Sequence, residues 1–244
     1  MSEWLKGITL PLVGDLNDIY LVHLTIDPRE LSDVVPKCMP LRLVDGRAVM
    51  SLVNVRADHF RPSIAPAFAG ITYRAIMLRV VIEDGPWNDD GQPRGIFITN
   101  VYLNKSLVNR GFKTFTDQRT TLATIDSDGT RLAMRSGDKF LDYELDESRP
   151  DAACDPRQQE IAEVLDRAYT VGESGTVRRI SIARDKWPLK PVHLVAWKTN
   201  LFETARVECV FKVTETIPYK WTRFEPIASI QAEGTVVMHT AVTR

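Results

Sequence analysis

The sequence predicts a mainly β fold (α+β class), an antiparallel β-barrel with a few helices packed outside it. Apolar and polar residues alternate with a period of two in stretch after stretch. Turn residues separate those stretches. The strand–helix alternation of a parallel sheet is absent. A chain of 244 residues suits one domain over 1–244, since barrels of this length form single domains.

Each element has its own warrant. From Val207 to Val213, the residues Val207, Cys209, Phe211 and Val213 alternate with Glu208 and Lys212, as in a half-buried strand. Leu122 to Asp146 reads as a three-strand meander. Its turns, Ser127-Asp128-Gly129 and Ser136-Gly137-Asp138, place glycine where a positive φ is needed. Further strands are expected over 19–26, 48–56, 71–83, 95–103, 176–183 and 234–241. Pro28 to Val35 follows Asp27, an N-cap, and reads as a helix. Lys105 to Phe115 is a second helix. Pro156 to Val171 is the third, capped by Asp155, stopped by Gly172, with Ile161, Val164, Leu165, Ala168 and Tyr169 as its apolar stripe.

Composition excludes several classes. The net charge of -1 leaves no electrostatic footprint for nucleic acid or an anionic membrane. No apolar run approaches the roughly 20 residues of a membrane span, and no signal-peptide pattern opens the chain. Cys38, Cys154 and Cys209 are too widely spaced for a disulfide framework or a CxxC site, which fits a cytoplasmic protein with reduced thiols. There is no Gly-x-Gly-x-x-Gly, P-loop or Gly-x-Ser-x-Gly sequence. The four histidines lack metal-ligand spacing, so no metal or cofactor is expected.

One strand stands out. In ITYRAIMLRVVIED, Arg74 shares a face with Ile76, Leu78, Val80 and Ile82, and that aliphatic face should look into the core. A guanidinium keeps its proton, so a buried one needs an anionic ligand or a structural carboxylate. Both alternatives stand. In GIFITNVYLN, Asn100 and Tyr102 are hydrogen-bonding groups among apolar neighbours, as in pockets that orient a ligand. His193 and Trp197, in KPVHLVAWKT, are further candidates.

The order of these segments resembles the acetoacetate-decarboxylase-like superfamily, and within it the YqjF-like branch of uncharacterised bacterial proteins. The resemblance lies in DIYLVHLTIDPRELSDVVPKCMPLRLVDGRAVMSLVNVRADHFRP, ITYRAIMLR, GIFITNVYLN with its following helix, and more loosely DKWPLKPVHLVAW. It implies an acetoacetate-decarboxylase-like barrel enclosing a small-molecule pocket, a homo-oligomer, and a helical insertion near 156–171. The decarboxylase carries Gly-Phe-Pro-Lys-Lys-Leu-Ala after its central strand, where one lysine forms an imine with the substrate ketone. Alignment on Leu122-Ala123 puts Arg119, Thr120 and Thr121 there; alignment on Gly111-Phe112 puts Lys113 one residue early. The imine lysine is therefore expected to be absent.

The sequence thus points to a small-molecule enzyme of lyase, isomerase or cyclase type acting on a small anionic or carbonyl compound without Schiff-base decarboxylation. Tyr102 or His193 would move protons. Arg74, Asn100, Arg119, Thr120, Thr121 and Trp197 would bind the ligand. The alternative is a noncatalytic small-ligand-binding protein of the same fold.

Overall fold

The computed structural model describes residues 11–37, 39–83, 94–115, 118–149, 154, 167–172, 175–184, 187–230 and 236–238. In chain order the elements are β1 (Leu12–Ile26), β2 (Leu43–Val44), β3 (Arg47–Pro62), β4 (Ile71–Glu83), β5 (Arg94–Leu103), α1 (Ser106–Phe115), β6 (Thr120–Leu122) and β7 (Thr124–Ser127). They continue with β8 (Arg131–Ser136), β9 (Lys139–Asp146), β10 (Arg167–Val171), β11 (Thr176–Arg184), β12 (Leu189–Pro191), β13 (His193–Thr199), β14 (Arg206–Val213), β15 (Ile217–Ile230) and β16 (Val236–Met238).

They form two sheets. The smaller has the order β13-β9-β8-β7 and contains the expected meander. The larger has 12 strands along the path β12-β14-β1-β15-β11-β10-β5-β4-β3-β2, with β6 beside β5 and β16 beside β15. It is mixed rather than purely antiparallel, because β5 pairs in parallel with both β6 and β10. It also curls back on itself. β1 pairs with β3 along its whole length, and on its other side with β15 and then β14. Seven strands, β1-β15-β11-β10-β5-β4-β3, therefore follow one another around a shared interior.

This curl buries both faces of the central strands, as their long apolar runs require. On β4, Ile76, Leu78, Val80 and Ile82 pack with Leu132, Met134, Leu141 and Tyr143 of the small sheet. The opposite face, Tyr73, Ala75 and Met77, packs inside the curl with Val53, Val55, Val101, Phe112 and Trp221. At about 25 cal/mol per Å² of apolar area, two such cores supply the main stabilisation.

Two expected helices are corrected. The first is only a 3-10 turn, Pro28–Leu31, in which Asp27 accepts the Arg29 backbone N–H at 2.9 Å. Pro36, lacking an N–H, stands just beyond it. The third cannot reach 171, because Arg167–Val171 is strand β10, paired with β11 and β5. Ala168 faces the curl's interior while Tyr169 and Val171 face the small sheet. A strand buried on both faces carries neighbouring apolar residues that imitate a helical stripe. Residues 155–166, the rest of that helix and insertion, lie outside the described residues. The expected strand 234–241 is described only as Val236–Met238.

Two bulges shape the curl. Asp18 (φ 47°) and His59 (φ 52°) adopt left-handed backbone where the β1–β3 and β3–β4 registers shift. Gly70 is pressed against the second: a Cβ there would lie 2.5 Å from the His59 Cα. No helix among the described residues is long and apolar enough to cross a membrane.

Candidate functional site

Strands of the curl present a narrow hollow to one another. Its walls are Leu16, Val53, Val55, Ala57, Ala75, Met77, Ile96, Val101 and Leu103, with Tyr73, Phe112, Trp187, Tyr219 and Trp221 as aromatic faces. Ala57 and Ala75, small side chains on neighbouring strands, leave the space. The hollow measures about 60 Å³, room for a few waters or a small organic fragment. An aromatic cluster stands at one end: Phe112 packs edge-on to Trp221 at 5.1 Å, and Phe60 stacks on Phe112 at 5.9 Å. Helix α1 places Phe112 there.

One cation lines the hollow among the described residues: Arg79, only 5% exposed. Its Nε donates to Ser51 Oγ at 3.1 Å, and its guanidinium lies 6.0 Å from the Trp187 ring centroid. Cross-strand register fixes this position. Arg79 on β4 faces Ser51 on β3, Ser51 faces His23 on β1, and His23 faces Cys209 on β14. All four are buried, so this row crosses four strands inside a largely apolar core. Tyr73, beside the hollow, has its phenol pushed up by burial and stays a hydrogen-bond donor. No lysine lines the hollow among the described residues. Lys105 and Lys113 are exposed.

The residues singled out from the sequence fall into three groups, none of which lines this hollow. Arg74 faces the small sheet, and its Nη2 meets Asp18 Oδ2 at 3.1 Å. Arg56 binds the same oxygen at 3.1 Å. Of the two partners the sequence allowed for Arg74, the protein thus supplies a carboxylate of its own. Asn100 accepts from Thr121 Oγ1 at 3.2 Å, and Tyr102 sits beside it with its phenol raised, first by burial and then by Asp138, against the opposing hydrogen bond from Asn100. Thr120 is buried in the row of Val101, while Arg119 is exposed. His193 and Trp197 belong to β13 of the small sheet, where Trp197 stacks on Tyr143 with centroids 6.5 Å apart. Trp197 also borders an open outer depression of about 570 Å³ whose rim alternates acids and bases, among them Glu144, Arg131, Asp142 and Arg135.

Arg79 and Ser51 were missed. The available signal was ITYRAIMLRVVIED itself, which carries a second arginine on the face opposite Arg74. With both faces buried, each arginine merited the same question.

No curated protein matches the sequence. Solved structures do match the fold. An acetoacetate decarboxylase-like enzyme from Sphingomonas wittichii RW1 superposes with a TM-score of 0.57 at 12% identity, covering 91% of this chain and 94% of that one. An acetoacetate decarboxylase from Legionella pneumophila gives 0.58 at 12% identity, covering 90% and 88%. The enduracididine biosynthesis enzyme MppR, complexed with the condensation product of pyruvate and imidazole 4-carboxaldehyde, gives 0.54 at 8%, covering 88% of each. The fold is thus acetoacetate-decarboxylase-like. A family model matches residues 14–224, and the chain belongs to that family, DUF2071, an uncharacterized conserved protein group (COG2071).

Proposed function

We propose that the chain handles a small anionic or carbonyl compound inside the curled sheet, as an enzyme of lyase, isomerase or cyclase type that forms no lysine imine. The observation that carries this reading is Arg79, buried at the wall of an apolar hollow. A guanidinium presents its N–H donors in a fixed planar fork, the geometry that suits a carboxylate or carbonyl oxygen. The apolar walls exclude water and strengthen that contact. Tyr73 adds an O–H donor. Enzymes of the same fold act on small molecules, which agrees with this use of the interior.

The lost imine is supported by Thr120. In the register anchored on Leu122-Ala123 it stands at the lysine position, and it shares the row of the hollow-lining Val101. A hydroxyl cannot form an imine with a ketone. A second reading, noncatalytic binding, is favoured by the walls themselves: no Asp, Glu, His or Cys lines the hollow among the described residues.

A thermal-shift screen with small carboxylates and ketones tests the proposal. Ligands should raise the melting temperature of the wild type and of Arg74→Ala, but not of Arg79→Met. Equal stabilisation of Arg79→Met removes the anchor. Borohydride treatment with a ketone should leave the protein mass unchanged; a stable adduct on any lysine reinstates the imine. Turnover of a stabilising ligand separates enzyme from binder.

A further inference from the structure

The end of the curl bearing α1 has a surface unlike that of the other described residues. Six large hydrophobic residues are exposed among the described residues, and four of them, Ile64, Phe68, Leu107 and Leu122, lie in elements at this end. Topology brings them there. The β3–β4 connection carries Ile64 and Phe68; Leu103, at the end of β5, faces Ala75 near the start of β4; α1 and β6 continue from that point. Phe68 is 90% exposed and Ile64 83%. The loop that bears them is held rather than slack. Arg61 donates to Ala65 O at 3.1 Å and His59 O at 2.8 Å, and Ala69 and Gly70 close short turns onto Pro66 and Ala67.

Charge at this end is mostly basic among the described residues. Lys105, Arg110, Lys113 and Arg119 are all exposed. Loop 63–70, α1 and residues 118–122 contain no Asp or Glu, and Asp117, between the last two, lies outside the described residues. Of the acids next along the ladder, Asp18 and Asp58 are paired with Arg56 and Arg74, and Asp15 lies 3.2 Å from His59 Nδ1. The whole-chain charge of -1 conceals this local excess.

We propose that this end docks on an anionic lipid surface, with Ile64 and Phe68 entering the acyl boundary and the four cations meeting headgroup phosphates. From Ile64 to Gly70 there is no hydrogen-bonding side chain. Such a loop has nothing with which to build the polar rim of a specific protein interface. It suits the edge of a bilayer, where apolar side chains insert and neighbouring cations are drawn to negative headgroups. The mode is peripheral and independent of the chemistry inside the curl.

Vesicle co-sedimentation of the full chain tests this. Wild type should pellet with phosphatidylcholine vesicles containing phosphatidylglycerol, not with phosphatidylcholine alone, and should be released by high salt. Ile64→Ser with Phe68→Ser should weaken binding by about tenfold or more. Arg110→Glu with Lys113→Glu should weaken it by at least about fivefold per position. These positions are exposed, so an unchanged melting temperature certifies both variants. No pelleting with anionic vesicles overturns the proposal, as does pelleting that survives the double serine variant. Gel filtration supplies the remaining arm: self-association abolished by the serine variant, without vesicle binding, assigns the surface to a second copy of the chain and overturns the lipid assignment.

Discussion

Individual side chains fasten the two sheets to each other. Asn54 is fully buried on β3 and donates from Nδ2 to Tyr143 Oη on β9 at 2.7 Å. Tyr143→Phe removes that acceptor and should cost about 1–3 kcal/mol, the range for stranding a buried polar group. A denaturant titration reads it directly, and an unshifted midpoint would assign the bond no net stabilisation. Glu147 makes a second fastening, accepting from Tyr20 at 2.6 Å and from Lys212 at 2.7 Å. Burial pushes its carboxyl up, but the hydrogen bonds from Lys212 and Tyr20 outweigh this and hold it below its ordinary value of 4.5. A depressed acid contributes stability that is present above its unfolded pKa and lost as pH falls through the folded one. Wild type should therefore lose its advantage over Glu147→Gln on acidification below about pH 4.5 and keep it at neutral pH. Melting temperatures of the pair, measured across that window, give the answer; parallel curves would dismiss the linkage.

Among elements, α1 and the β3–β4 connection govern the aromatic end of the hollow. Phe112→Ala should destabilise by about 3–5 kcal/mol, since the truncated ring leaves a cavity. It should also admit longer ligands in the same thermal-shift assay, because Phe112 is part of the wall. Gly70→Ala drives a methyl into the His59 backbone, which cannot withdraw as a flexible side chain would. A marked loss of stability is expected by calorimetry; a neutral result would mean the bulge at His59 yields. The same elements show how far the sequence could be read. Strands β4, β5 and β14 and the meander were legible because their alternation or turn glycines are local. β15 was not, since Pro218 and Pro226 argue against a strand. The fold accommodates Pro226 at a register shift opposite Val177 and Arg178. The interior site was hidden for a related reason. Alternation separates Arg74 from Arg79 but says nothing of what covers each face, and the bulge that brings Asp18 to Arg74 has no short-range signature.

At the scale of the whole molecule, the connection between the sheets predicts cooperativity. Val22 has no exposed surface, and its position on β1 faces Leu52 on one side and Val210 on the other. Val22→Pro removes a donor from a strand paired on both edges, where proline is not tolerated. The loss should be global, with small-sheet amides such as those of β9 exchanging as fast as those of β3. Retained protection in β9 alone would show that the small sheet stands independently.

The placement of β1 also sets a timetable for folding. Tyr20 waits for Lys212, and Leu12 for Trp221, so almost the whole polypeptide must be made before the first strand gains its second neighbour. Contacts this distant along the chain slow the search for the native state. Meanwhile an apolar edge stays open to the wrong partner. Stopped-flow refolding should show a slow main phase, and dilute, cool conditions should raise the yield of native material more than any stabilising salt.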